Sequence, residues 1–144
     1  KIIKASDFGL PQHRPRIYMV GFDKKYKFPE KFAFPTPIPL TTNMSEIWGG
    51  VCNRDIGYTL RVGGKSSGLN DRRNWDVYLV DGEERTLGPE QGKKMMGFPA
   101  DFELPVSRTQ AMKQLGNSVA VNVVKAIAVT MVNYLKTEGA DSDY

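Results

Sequence analysis

The stretch Gln114-Leu115-Gly116-Asn117-Ser118-Val119-Ala120-Val121-Asn122 constrains this chain most. It reads as a helix end, a tight glycine turn and the start of a second helix. Gly116 suits the positive φ that closes a first helix. Asn117 or Ser118 offers a side-chain oxygen to cap the next one. Beyond the turn, Ala120, Val124, Ile127, Ala128, Met131 and Leu135 recur at helical spacing. That pattern predicts a long closing helix over 119–136, anchored by its apolar stripe, with an N-terminus suited to anions. Taken alone, the same run also describes any well-capped surface helix.

The rest of the chain punctuates itself with Pro and Gly. Asp7-Phe8-Gly9-Leu10-Pro11 reads as a turn. The apolar run Arg16-Ile17-Tyr18-Met19-Val20-Gly21-Phe22 predicts a buried strand, which needs neighbours that this chain scarcely offers. Pro29, Pro35, Pro37 and Pro39 exclude a helix through most of 23–40, which reads as an extended linker. Thr59-Leu60-Arg61-Val62 and Trp75-Asp76-Val77-Tyr78-Leu79-Val80 read as β pieces, the second ending in an Asp81-Gly82 hairpin signal. Pro89 opens a short helix that ends at Gly97. Ser107 and Gln110 have capping-box spacing for a helix over 108–115. Residues 138–144 read as a frayed tail.

Composition bounds the function classes. The chain has 144 residues, enough for one modest core. Its net charge of +4 suits a polyanionic partner without proving one. One cysteine and one histidine exclude an intrachain disulfide framework and argue against a metal site. No apolar run suggests a transmembrane helix and no signal peptide is evident, so the expected compartment is intracellular and reducing. A first residue of Lys rather than Met reads as a fragment or a processed piece.

Three short blocks change the odds for function. Gln12-His13-Arg14-Pro15-Arg16, then Arg85-Thr86-Leu87 leading to Gly97-Phe98-Pro99, then Gly116-Asn117-Ser118-Val119 stand in the order and context of three blocks of the cytosine-C5 DNA methyltransferases. The chain resembles the C-terminal part of such an enzyme from about residue 7 to 135. The resemblance implies an α/β fold: the C-terminal part of a Rossmann-like, S-adenosylmethionine-dependent methyltransferase with a small, mostly β target-recognition domain. Residues 1–22 and 101–137 would belong to the large domain and 23–100 to the recognition domain, with 138–144 as tail. The family flips a cytosine out of double-stranded DNA, attacks C6 with a cysteine thiolate and adds a methyl group at C5.

The resemblance also implies roles. Arg14 and Arg16 alternate onto one side of an extended segment, and Gln12 shares that side. Arg16 is the better candidate for the flipped base and Arg14 for holding the site together. Asn117, Ser118 and Val119 would line the S-adenosylmethionine pocket. Arg54, Arg61, Lys65, Arg72, Arg73, Trp75 and Arg85 are the candidates for contact with DNA. Gly64-Lys65-Ser66 imitates the end of a phosphate-binding loop, but position 59 is Thr where that motif needs Gly.

Departures matter as much. The family's nucleophile sits in Pro-Cys-Gln, whereas the one cysteine here lies in Val51-Cys52-Asn53 and reads as a small, unreactive residue. The glycine-rich cofactor loop and the Glu-Asn-Val block are absent, and Glu90-Gln91 stands where an Arg-Glu pair is common. An N-terminal catalytic part is therefore an expected partner. Two alternatives stay open: a non-catalytic DNA-binding specificity subunit, and a tRNA cytosine-C5 methyltransferase of the same fold.

Overall fold

The computed structural model describes residues 1–63 and 67–138. Strand β1 (Ile2–Lys4) pairs antiparallel with β2 (Pro15–Ile17), placing Ile2 opposite Ile17 and Ile3 opposite Arg16. A single 3-10 turn, Ala5–Asp7, and a turn through Gly9 lie between them. After the linker come α1 (Met44–Trp48), the hairpin β3 (Val77–Val80) and β4 (Glu83–Thr86), then α2 (Pro89–Met96), α3 (Arg108–Asn117) and α4 (Val121–Leu135). The hairpin turn has φ 51° at Asp81 and 79° at Gly82, the two positive values that match strand twist in a two-residue loop.

Two apolar clusters hold these elements. The first joins Met44 and Ile47 of α1, Trp75, Tyr78 and Val80 around β3, Met95 and Met96 of α2, and Met112 and Leu115 of α3, with Leu60. The second joins Ile3, Ala5, Phe8 and Leu10 to Ala120, Val123 and Ile127. The linker is pinned to α4 by rings. Phe28 stacks on Tyr134 at 4.2 Å between centroids, Phe22 and Phe32 flank the same ring, and the Tyr134 hydroxyl donates to the Glu30 carbonyl at 2.6 Å.

Several expectations change. The helix before Gly116 does not close there. Gly116 lies inside α3 and takes no positive φ. A Cβ at that position would stand 3.0 Å from the backbone carbon and oxygen of Arg61, so the glycine serves close approach rather than a turn. Neither Asn117 nor Ser118 caps α4, whose N-cap is Ala120 with no side-chain cap bond, while the Ser118 hydroxyl donates back to the Leu115 carbonyl at 2.9 Å. The buried face of α4 is Ala120, Val123 and Ile127, with Met131 packed at its edge, so Val124, Ala128 and Leu135 of the expected stripe face outward with Val129 and Val132. The helix is apolar nearly all round, and periodicity alone cannot choose which side the linker and β1 will cover.

The buried strand over 16–22 is also corrected. Ladder pairing covers only Pro15–Ile17, and Ile17 and Met19 are 71% and 91% exposed. The segment is apolar on both faces but has one neighbour strand and one covered face. Thr59–Val62 is no strand, because 57–60 runs beside 11–14 through an isolated parallel bridge rather than in a ladder. The middle is not mostly β: among the described residues it holds one hairpin and two helices. Nor do the described residues form a parallel sheet; they form two antiparallel pairs.

Contrary to the expectation of no membrane-spanning run, an 18-residue window within 108–135 reaches a mean hydropathy of 1.6. The stretch is nonetheless two helices, parted at Ser118–Ala120 by extended backbone. At about 1.5 Å per residue, the 15-residue α4 falls short of a hydrocarbon core of about 30 Å.

Candidate functional site

The first and third of the chain's blocks, with the segment ending at Leu60, meet around one side chain. Arg14 is 3% exposed. Its Nη1 donates to the Leu60 carbonyl at 3.3 Å, and its Nη2 to the carbonyls of Gly116 at 3.0 Å and Ser118 at 2.5 Å. Its backbone N–H donates to the Thr59 hydroxyl at 3.0 Å, while its Nε is buried without a partner. Burial, reinforced by the neighbouring Arg16 charge, lowers its pKa to about 10, which still leaves it charged at neutral pH.

That clamp bends the chain. Arg14 has φ 28°, a left-handed value rare outside glycine that typically costs about 1–3 kcal/mol. The bend overturns the expected alternation. Gln12 and Arg14 turn inward, with Gln12 0% exposed, while Arg16 turns outward to solvent. Arg16 stands with Ile17, Tyr18, Asn117, Ser118 and Val119 around an open pocket of about 350 Å³. Its Nη1 donates to the Pro15 carbonyl at 2.8 Å. Burial raises the Tyr18 phenol's pKa, so that group stays a neutral hydrogen-bonding wall.

Sequence reasoning missed Ile17 and Tyr18 as pocket walls and Leu60 as an Arg14 partner. Tyr18 sits two positions beyond Arg16, and strand alternation from Arg16 onward could have found it. The Arg14–Leu60 contact had no local signal, since it spans 46 residues.

The DNA candidates separate in space. Arg54 stacks over the Tyr58 ring at 4.0 Å from its centroid and donates to the Ile56 carbonyl. Arg61 is exposed where Gly116 abuts its backbone. Arg72 is exposed, and beside it Arg73 makes a two-point contact with Asp71 that holds the Asp71 carboxyl below the usual carboxylate range. Arg85 lies on the exposed strand β4, after Glu83 and Glu84. Lys65 lies outside the described residues. Trp75 is corrected: it is 1% exposed, packs in the first cluster and donates its indole N–H to the Gly63 carbonyl at 2.9 Å. The large apolar ring at the end of a polar run is core rather than contact surface.

Cys52 is half-buried against the first cluster, with its sulfur 3.6 Å from the Asn53 side-chain oxygen. Among the described residues no group of three His, Cys, Asp or Glu side chains could hold a metal ion.

The segment Gly116–Val119 fits one wall of a site for a carboxylate-bearing cofactor. The first turn of α4 has no side-chain cap, so its N–H groups remain to be satisfied from outside. The Ser118 hydroxyl and carbonyl are already engaged, which leaves Asn117 and Val119 as the contacting surface. A volume of about 350 Å³ is near the lower end for ligand pockets, so further walls must come from elsewhere.

Comparison with known proteins places these residues in context. The family model for C-5 cytosine-specific DNA methylase matches residues 1–62 and 52–133. The chain is 37% identical, over 93% of its length, to Type II methyltransferase M.SsoII of Shigella sonnei, covering 44% of that protein. It is 36% identical, over 94% of its length, to Type II methyltransferase M.DsaV of Dactylococcopsis salina, covering 47% of it. It is 35% identical, again over 94%, to Type II methyltransferase M1.ScrFI of Lactococcus lactis subsp. cremoris, covering 43%. The chain thus spans somewhat under half the length of these curated relatives.

Proposed function

The chain belongs to the C-5 cytosine-specific DNA methylase family, and from that premise we propose that it is the target-recognition and closing part of an enzyme that methylates C5 of cytosine in DNA. Its placement in restriction–modification rests on the names of its relatives. The observation that carries the reading is the Arg14 clamp. One buried guanidinium ties the Arg16 segment to Leu60, Gly116 and Ser118. It thereby brings the Arg16 segment, the segment ending at Leu60 and the Gly116–Ser118 turn to one point, which supports a shared site.

In this reading Arg16 donates to the pyrimidine carbonyl of the flipped base and stabilises the charge that develops there. Arg14 fixes the backbone from which Arg16 projects. Tyr18 and Ile17 exclude water from one side of the pocket. S-adenosylmethionine, when bound, supplies the methyl group, with Asn117 and Val119 as its wall in this chain. Arg54, Arg61, Arg72, Arg73 and Arg85 meet phosphates or base edges of the duplex. The nucleophile comes from an N-terminal part, since Cys52 is outside any Pro-Cys-Gln block. That part also covers Ile17, Met19, Val124, Val129, Val132 and Leu135, which are exposed here. Each such side chain left in water forfeits roughly 1.5–3 kcal/mol of burial.

The test is transfer of a labelled methyl group to duplex DNA and to tRNA. It uses this chain alone, an N-terminal half carrying Pro-Cys-Gln, and the two together. The chain alone is inactive and poorly soluble, and the mixture methylates DNA. Activity of the chain alone refutes the division of labour. Transfer to tRNA but not DNA replaces the substrate. Sequence-specific DNA binding with no transfer by the mixture replaces the enzyme with a specificity subunit.

A further inference from the structure

Gln12 belongs to the block that resemblance assigns to the base pocket, yet it is 0% exposed and is not among the residues that line the pocket at Arg16. Both ends of its amide are engaged, and none of the three partners is near it in sequence. Its Nε2 donates to the Met95 carbonyl at 3.2 Å and approaches the Met96 sulfur at 3.0 Å, in the last turn of α2. Its Oε1 accepts from the Leu60 N–H at 3.0 Å. Backbone bonds run alongside: Gly57 N–H to the Pro11 carbonyl at 2.9 Å, and His13 N–H to the Gly57 carbonyl at 3.0 Å. The segment 57–60 is therefore laced to 11–14 on one side, and 11–14 to α2 on the other.

The lacing leads to the DNA-facing residues. Leu60 is 1% exposed, and the next residue, Arg61, is exposed. The Leu60 carbonyl accepts from Arg14, two residues from Gln12 and two from Arg16. A buried amide with both ends satisfied fixes register, because a shift of either neighbour strands a donor or an acceptor in a dry site. A leucine of similar size would fill the volume without fixing it.

We propose that Gln12 is a positioning residue that keeps the recognition segment ending at Arg61 in register with Arg16, so that contact with the preferred DNA sequence sets the base pocket. The proposal rests on the DNA-methylation reading above and adds a link between sequence choice and turnover. Gln12 acts through Leu60, Arg14 and α2, not on substrate.

The experiment compares the parent enzyme, complemented by its N-terminal part, with Gln12→Leu. The readouts are Tm, kcat, S-adenosylmethionine affinity, and the ratio of kcat/KM between the duplex the parent prefers and single-base-changed duplexes. Below the variant's Tm, kcat falls by about 10- to 100-fold, as small misplacements of a reacting geometry do. The discrimination ratio falls by about tenfold, and cofactor affinity is unchanged. A lower Tm with kcat and discrimination intact marks a merely structural glutamine and overturns the proposal. A second measurement on the parent covers a variant that fails to fold. Hydrogen exchange at the Leu60 amide slows by about tenfold on the preferred duplex relative to a changed one; equal exchange on both overturns the proposal. This arm needs only DNA binding. Absence of methyl transfer by the parent therefore sinks the catalytic reading, while the exchange result decides the role of Gln12.

Discussion

Replacing Arg14 by Met removes the clamp while keeping a long unbranched side chain in its place. Three carbonyls, those of Leu60, Gly116 and Ser118, lose their shared donor. A buried acceptor left without a partner costs about 1–3 kcal/mol. The Ser118 carbonyl is only part-buried, so the lower end applies to it, while the Leu60 and Gly116 bonds are buried. Removing a desolvated charge returns part of the loss. The balance is a destabilisation of about 3 kcal/mol, which at a slope near 2 kcal/mol/M moves a urea midpoint by roughly 1.5 M. Urea unfolding followed by tryptophan fluorescence reads this directly, because Trp75 packs in the cluster that holds Leu60. Arg14→Lys, a point charge without the planar fork, falls between parent and Met. A midpoint within about 0.3 M of the parent for Arg14→Met would show that the three bonds do not tie the blocks together.

Three further predictions follow from particular contacts. Gly97→Ala places a Cβ at φ 81° and 2.7 Å from the Asn122 side-chain oxygen, whose amide holds the Phe8 carbonyl; Tm should drop by roughly 3–10 °C, and an unchanged Tm would contradict the geometry. The Glu46 carboxyl is held below its ordinary value by the Thr42 hydroxyl and then the Asn43 N–H, so its contribution is present above that ordinary value, about pH 4.5, and is lost as pH falls through the lower folded value. The stability gap between parent and Glu46→Gln should therefore close in acid, and a pH-independent gap would argue against the cap. Arg72→Ala should weaken DNA binding evenly across sequences and reduce the salt slope by about one unit, whereas Trp75→Phe should leave affinity and slope unchanged; the reverse pattern would restore Trp75 as a contact.

Sequence reading succeeded where signals are local. Asp81-Gly82 turned a hairpin, Pro89 and Gly97 bounded α2, and Ser107 accepts from the Gln110 N–H at 3.3 Å, the one half of the expected capping box that forms among the described hydrogen bonds. It missed α1, although Asn43 and Glu46 form a full capping box, because five residues are too few to show a helical period. It misread Gly116 because a glycine needed for close approach and a glycine needed for a turn look alike in one dimension. The kink at Arg14 was illegible for a different reason. An arginine before proline is biased toward extended backbone, and only distant carbonyls at Leu60, Gly116 and Ser118 hold it elsewhere. The family blocks were legible as words, but the meeting of the first and the last at one buried guanidinium was not. The outward faces of α4 and β2 carry a pattern that only a further layer would explain.

In the proposed function this chain supplies the arginine that meets the flipped base. The most direct measurement is single-turnover methyl transfer to duplex DNA by the complemented enzyme, parent against Arg16→Ala. Arg16 is exposed at the pocket mouth and its side chain bonds only to the adjacent Pro15 carbonyl among its described hydrogen bonds, so the variant should fold as the parent does. Losing one preorganised donor costs about 2.7–4 kcal/mol, a fall of roughly two to three orders of magnitude in rate. S-adenosylmethionine affinity should be nearly unchanged. A rate within about threefold of the parent would mean that Arg16 does not touch the reacting base, and the assignment of this pocket would fail.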